Sequence, residues 1–270
     1  MRRNFAQVLR EGKIDIENEY QKLYDRFYKS KSGRPAIADI ISGYFEFIPF
    51  HGTCLSLEEF DRTHDIRFEE QPQNFNEDIL VSFCEYIYNF VVYANQHPLA
   101  DYIDASRFIK HINALIESIG YMHATDDGVT IFVPKDNVAI VVSESEWIPD
   151  NISYKIIAYN HHSMTGDLEA KRQTLLIFAD LLESHRSALS AIDRNFTSDL
   201  FYAFNNFNIR HNNVDSVGSK YKKAIADLTD EQLEVQYDDV YQMCLLAFMR
   251  LDYTEYKNRF DVLKDKIENE

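Results

Sequence analysis

One short run gathers more hydrogen-bonding side chains in few residues than any other segment of this chain. Residues 205–213 read Asn-Asn-Phe-Asn-Ile-Arg-His-Asn-Asn, with an adjacent Arg-His pair among five amides: Asn205, Asn206, Asn208, Asn212 and Asn213. Arginine binds phosphate through a fixed fork of donors, and histidine transfers protons near neutral pH. The run predicts Arg210 and His211 as catalytic residues and the asparagines as ligands of a ribose or a phosphate.

The run lies at the end of a predicted helix, which we treat as continuous over residues 197–213. At about 100° per residue, His211 projects onto the buried stripe that contains Phe204. Arg210 then lies on the rim of that stripe, between two amides. A structural interpretation is equally open. In it, His211 lies at the core edge, the asparagines cap the helix end, and Arg210 pairs with a carboxylate or with the last carbonyls.

The surrounding sequence resembles a known family over roughly residues 150–255. The supporting features are the run Lys155-Ile-Ile-Ala-Tyr159-Asn-His, the Gly166-Asp167 helix start, and the run Tyr237-Asp-Asp-Val-Tyr241-Gln, with the Arg-His pair between them. This segment is similar to the C-terminal domain of bacterial abortive-infection proteins, which belong to the HEPN superfamily of helical bundles. The resemblance implies phage defence, or toxin-like RNA cleavage by a homodimer.

The family motif is an arginine, a polar residue and a later histidine. Arg210 matches the arginine and His211 matches the polar residue, but the later positions hold Asp215, Ser216 and Val217. Two functions stay open. The favoured one is a non-catalytic interaction or regulatory module; the alternative is a metal-independent ribonuclease in which His211 replaces the missing base. Expected partners are RNA or another protein, together with a second copy of the chain.

The charge of the chain is strongly acidic but uneven. The formal net charge is −16, which disfavours broad non-specific binding to nucleic acid because the phosphate backbone would be repelled. Residues 1–34 nevertheless hold nine lysines or arginines against five acids. This segment predicts either a local basic face or an ordinary solvated helix surface.

Cysteine use and missing motifs narrow the remaining chemistry. The three cysteines form no Cys-x-x-Cys pair, which argues against a disulfide framework or a zinc site and favours a reducing cytoplasm. The histidines lack metal-ligand spacing, and phosphate-loop and dinucleotide motifs are missing, so we expect neither metal nor cofactor. The apolar runs are too short for a membrane span, and no signal peptide is recognisable.

Periodicity predicts a mainly α-helical protein with a small β element. Helical spacing of apolar residues occurs over residues 14–31, 78–96, 104–119, 150–162, 166–184 and 197–211, and in a long helix after Thr229. The turn signal Asp127-Gly128 between alternating segments predicts a β-hairpin, while 138–142 could be a strand or the start of a helix. We place a boundary near residue 148, between a mixed, mostly helical region (1–148) and a helical bundle (149–270).

Overall fold

The computed structural model of the chain describes residues 14–31, 33–96, 103–126 and 128–269. The first part of the basic segment 1–34, up to residue 13, therefore lies outside the described residues. The chain divides into two compact units, Met1–Pro134 and Lys135–Glu270. The division thus falls before residue 148, because residues 137–143 form a helix that buries Ala139 and Val142 in the core of the second unit.

The described residues of the first unit form five α-helices followed by one hairpin. Its elements are α1 (Ile16–Tyr28), α2 (Ile37–Ser42), α3 (Leu57–Thr63), α4 (Glu77–Asn95), α5 (Ala105–Ser118), β1 (Tyr121–Asp126) and β2 (Val129–Pro134). Side-chain caps begin α1 and α4, which both contribute to the core. The Asp15 carboxylate accepts from the N–H of Asn18 before α1, and the Asn76 amide accepts from the N–H of Ile79 before α4.

The core of the first unit is rich in aromatic rings. Tyr20 and Phe27 of α1 are fully buried and pack against Phe83 of α4, with ring centroids 4.6 and 6.4 Å apart respectively. Because α4 is buried on most of its circumference, it forms the central element of this unit.

The predicted hairpin is confirmed. Strands β1 and β2 pair antiparallel from Tyr121 opposite Pro134 to Asp126 opposite Val129. Gly128 in the turn has a φ of +82°, a conformation that glycine adopts without a steric penalty. The amide of Asn89 in α4 both donates to the carbonyl of Thr130 and accepts from its N–H, each at 2.8 Å, which fixes the hairpin on the helix.

The second unit is helical throughout its regular structure. Its elements are α6 (Asn137–Ser143), α7 (Asp150–Ala158), α8 (Leu168–Ser184), α9 (Arg186–Ile192), α10 (Arg194–Asn206), α11 (Lys223–Ala226) and α12 (Asp230–Glu268). The predicted mainly α fold with a helical bundle in the C-terminal part is therefore confirmed. The ambiguous segment 138–142 is helical, because Asp136 caps it by accepting from the N–H groups of Val138 and Ala139.

The final helix, α12, begins after Thr229, as the sequence predicts, and a capping box marks its start. The Thr229 side chain accepts from the N–H of Gln232, whose own side chain accepts from the N–H of Thr229. Tyr237, Cys244 and Phe248, which recur at helical spacing along α12, are buried. Along the described part of the chain, no helix combines the length and the hydrophobicity that crossing a bilayer requires.

Candidate functional site

The helix that precedes the Arg-His pair is shorter than predicted. Helix α10 ends at Asn206, so the expectation of one helix over 197–213 is wrong. Asn208 has a φ of +59°, a left-handed conformation that asparagine tolerates better than most residues and that ends a helix. The N–H of Arg210 then folds back to the carbonyl of Phe204 at 2.9 Å. Arg210 and His211 consequently lie in a loop and not on a helix face.

Two asparagines close this loop by bonding to each other's backbone. The N–H of Asn208 donates to Oδ1 of Asn213 at 2.8 Å, and the N–H of Asn213 donates to Oδ1 of Asn208 at 3.0 Å. Asn213 is fully buried, and its Nδ2 donates to the carbonyl of Lys220 at 2.8 Å. This reciprocal pair satisfies buried polar groups, so both amides are committed to holding the loop.

The other three predicted binding amides also bond to nearby backbone. Asn205 and Asn206 donate to the carbonyls four residues earlier, both at 2.8 Å. Oδ1 of Asn212 accepts from the N–H of Asp215 at 3.2 Å. None of the five asparagines therefore presents a wholly unengaged amide, and the structure brings them together as supports of the loop.

The guanidinium of Arg210 is bound within the protein. Nη1 donates to the carboxylate of Glu183, and Nη2 donates to the carbonyl of Ala179 at 2.7 Å and lies 3.8 Å from the carboxylate of Asp180. The group also lies within 6 Å of the rings of Phe201 and Phe204. The hydrogen bond from Arg210 lowers the pKa of Glu183. Arg210 thus ties the loop to the C-terminal half of α8.

His211 follows in the same loop and is half-buried. Its ring has no hydrogen-bond partner among the described residues. The two predicted catalytic residues are neighbours in the loop, but the arginine charge is already neutralised by a carboxylate. The geometry matches the structural interpretation of Arg210, and it gives the pair no free cation with which to bind a phosphate.

Sequence reasoning missed a buried ion-pair cluster in the second unit. Lys171 is 7% exposed at its side chain, and its ammonium lies 2.7 Å from Asp238 and 2.8 Å from Glu234. The hydroxyl of Tyr159 donates to Asp238 at 3.1 Å. The hydrogen bond from Lys171 lowers the pKa of Glu234. A signal was present, since Lys171 lies at helical spacing between Leu168 and Leu175 on the predicted core face.

A second missed feature lies on α12, which continues beyond the core as an exposed apolar stripe. Leu251 is the last residue of this helix in the hydrophobic core. We name as the C-terminal stripe seven residues that are each 40–65% exposed: Leu246, Met249, Tyr253, Tyr256, Phe260, Leu263 and Ile267. Their spacing alternates between three and four residues, which places them on one face of the helix.

The C-terminal stripe is distinct from the face that α12 buries in the bundle. At about 100° per residue, Cys244 and Phe248 point roughly 150° and 110° away from the middle of the stripe. Basic side chains flank the stripe on both sides: Lys257 and Lys264 on one, Arg259 and Lys266 on the other. The helix therefore presents an apolar seam between two basic edges.

Comparison with protein families, curated proteins and solved structures finds no match to this chain.

Proposed function

We propose that the second unit is a non-catalytic interaction module, and that its C-terminal stripe binds an acidic amphipathic helix of a partner protein. The observation that carries the proposal is the exposed row of seven apolar residues at alternating three- and four-residue spacing. Such spacing is the pattern by which one helix packs its side chains into the gaps of another. Tyrosine, phenylalanine and methionine are also enriched at protein interfaces.

The length of the stripe suits a helical partner. It extends from Leu246 to Ile267, which is three heptads and about 30 Å of helix. This is the shortest length over which a heptad pattern is a useful indication of coiled-coil pairing. The large rings of Tyr253, Tyr256 and Phe260 lie in its centre, where the strongest contributions to binding are usually found.

The charges beside the stripe select the partner. With Leu246 taken as position a, Lys257 and Lys264 occupy e positions, while Arg259 and Lys266 occupy g positions. In a parallel pair of identical helices, Arg259 would face Lys264 of the other copy. An antiparallel pair would place e against e and g against g, and would again oppose like charges. Acidic residues at the partner's e and g positions remove this repulsion.

The contacts of Arg210 favour this function over RNA cleavage. A phosphate could approach the guanidinium only if the ion pair with Glu183 and the bond to Ala179 were broken. The family resemblance supports a setting in phage defence for such a module, in which the partner would be another defence component or a phage protein. That setting is part of the proposal and depends on the resemblance alone.

The proposal is tested with a synthetic helical peptide of four heptads that carries Leu and Ile at a and d and Glu at e and g. We expect it to bind the full chain, measured by fluorescence anisotropy of the labelled peptide, and a matched peptide with Lys at e and g not to bind. Phe260→Asp should weaken binding at least tenfold, which corresponds to about 1.4 kcal/mol.

Val262 provides the matched control for Phe260. It is 57% exposed, like the stripe residues, but lies on the opposite side of α12, so Val262→Asp should leave binding unchanged. Equal effects of the two substitutions, or equal binding of both peptides, would contradict the proposal. Light scattering of the protein alone tests whether a second copy of the chain occupies the stripe. A dimer that dissociates in Phe260→Asp would assign the stripe to a second copy of the chain.

A further inference from the structure

We propose that the first unit contains a binding site for a phosphorylated small molecule, in a basic cavity between α1 and α5. The cavity has a volume of about 300 Å³. Its lining residues come from α1, the turn after it, and the start of α5: Lys22, Leu23, Arg26, Arg34, Asp104, Arg107, Phe108 and His111. A second cavity of about 370 Å³ shares Lys22, Arg26 and Arg34 and adds Asp25, Lys29 and Lys31.

The fold brings these cations together from separate segments. Lys22 and Arg26 are one helical turn apart on α1, and Arg107 and His111 are one turn apart on α5. Nη2 of Arg26 donates to the carbonyl of Ile103 at 2.7 Å, which ties α1 to the residues before α5. The cavity is therefore a product of packing, although the basic character of residues 1–34 was already visible in the sequence.

The cavity keeps part of its positive charge free. Glu19 pairs with Lys22 at 2.6 Å and lies 3.4 Å from His111, and Asp25 pairs with Lys29 and Lys31. For Arg34 and Arg107, no ion-pair or hydrogen-bond partner of the guanidinium is found among the described residues. Among the described residues that line the 300 Å³ cavity, Asp104 is the one acid.

This charge distribution is unusual for the chain, and it points to an anionic ligand. In a protein of net charge −16, converging arginines repel one another unless an anion joins them. Each guanidinium can bind two phosphate oxygens in its plane. Leu23 and Phe108 add a buried apolar wall, so the site fits a ligand with a phosphate group and an apolar or aromatic part. The volume is at the lower end of the range for small-molecule sites.

The test is calorimetric titration of the full chain with ATP and with inorganic pyrophosphate as probes. We expect both to bind, ATP more tightly because its base contacts the apolar wall. Arg34→Gln and Arg107→Gln should each weaken binding about tenfold or more, since a hydrogen bond to a charged group contributes about 1.5–3 kcal/mol. Both side chains are exposed, so the variants should keep the melting temperature of the wild type.

Lys110 is the matched control, because it is exposed on the same helix as Arg107 but does not line the cavity. Lys110→Gln should bind ATP as the wild type does. An equal loss in Lys110→Gln, or no binding of either probe, would overturn the proposal. Binding of single-stranded RNA is the other outcome to test. If RNA binds through Arg34 and Arg107 and pyrophosphate does not displace it, the ligand is an RNA backbone and not a small molecule. The readout is independent of the C-terminal stripe, so this proposal and the proposed function can fail separately.

Discussion

Replacing Arg210 with alanine tests whether this arginine stabilises the loop or is held ready to bind a ligand. In Arg210→Ala the loop loses its bonds to Glu183 and to the carbonyl of Ala179, and the rings of Phe201 and Phe204 lose a neighbouring cation. If the loop is held on α8 by these contacts, the variant must be less stable. If Arg210 is held ready for a phosphate, removing it should change stability little.

The expected loss follows from the environment of each contact. The bond to Ala179 is partly buried, and a hydrogen bond from a charged donor contributes about 1.5–3 kcal/mol. Glu183 is 44% exposed, so its ion pair adds at most about 1 kcal/mol. We expect a total loss of about 2–3 kcal/mol, which lowers the melting temperature by about 6–10 °C for a unit of this size.

The single tryptophan, Trp147, lies in the second unit and is a convenient reporter. Thermal unfolding followed by its fluorescence, with Arg194→Ala as control, measures the effect, because Arg194 is an exposed arginine of α10. The hydrogen bond from Arg210 lowers the pKa of Glu183, so the stabilisation is present above the unfolded pKa and lost as pH falls through the folded value. The difference between Arg210→Ala and wild type should therefore shrink in acid. Equal melting of the two proteins at pH 7 would refute the structural role.

Three further predictions concern the loop, a half-buried carboxylate and catalysis. Asn213→Ala should lower the free energy of unfolding by about 3 kcal/mol because it leaves buried backbone groups unpaired, whereas Asn212→Ala, at an exposed residue, should cost less than about 1 kcal/mol in urea titrations. Burial raises the pKa of Asp61 to about 6, so its carboxylate disfavours the folded state above that pH; Asp61→Asn should be more stable than wild type at pH 7.5 and equally stable at pH 4. The amide oxygen of this variant would still accept a hydrogen bond from Tyr86, so a lower melting temperature at pH 7.5 would contradict this reasoning. Purified wild-type protein should not cleave RNA in EDTA; cleavage that is lost in Arg210→Ala would restore the ribonuclease alternative.

The local signals in the sequence were sufficient for most helices. The capping box at Thr229 and the periodic apolar residues of α12 depend on contacts within a few residues, so they can be recognised without the fold. The same holds for the hairpin, because Gly128 determines the turn and alternation determines the register. Periodicity leaves the short helix 137–143 undecided, since five apolar residues fit either period. In the structure Asp136 caps the segment as a helix, and Ala139 and Val142 pack into the core.

The sequence predicts where the candidate site lies in the chain, but not how its side chains are arranged. The sequence locates the dense group of polar side chains around Arg210, but the predicted helix extends to Asn213, whereas α10 ends at Asn206. The loop forms because Asn208 turns left-handed and pairs with Asn213, a contact that periodicity does not encode. The partner of Arg210 is Glu183, on another helix, and a single sequence gives no distance between them.

By itself, the sequence determined the helical class of the protein, its hairpin, its acidic charge and the basic bias of its first residues, because these follow from composition and short-range periodicity. Tertiary structure alone decided which charges are neutralised and which surfaces stay exposed. Arg210 is paired with Glu183 of α8, while Arg34 and Arg107 line a cavity, although all three are arginines in polar surroundings. Helix α12 likewise contains two apolar faces, and only the packing of the bundle determines that one is buried and the other stays exposed.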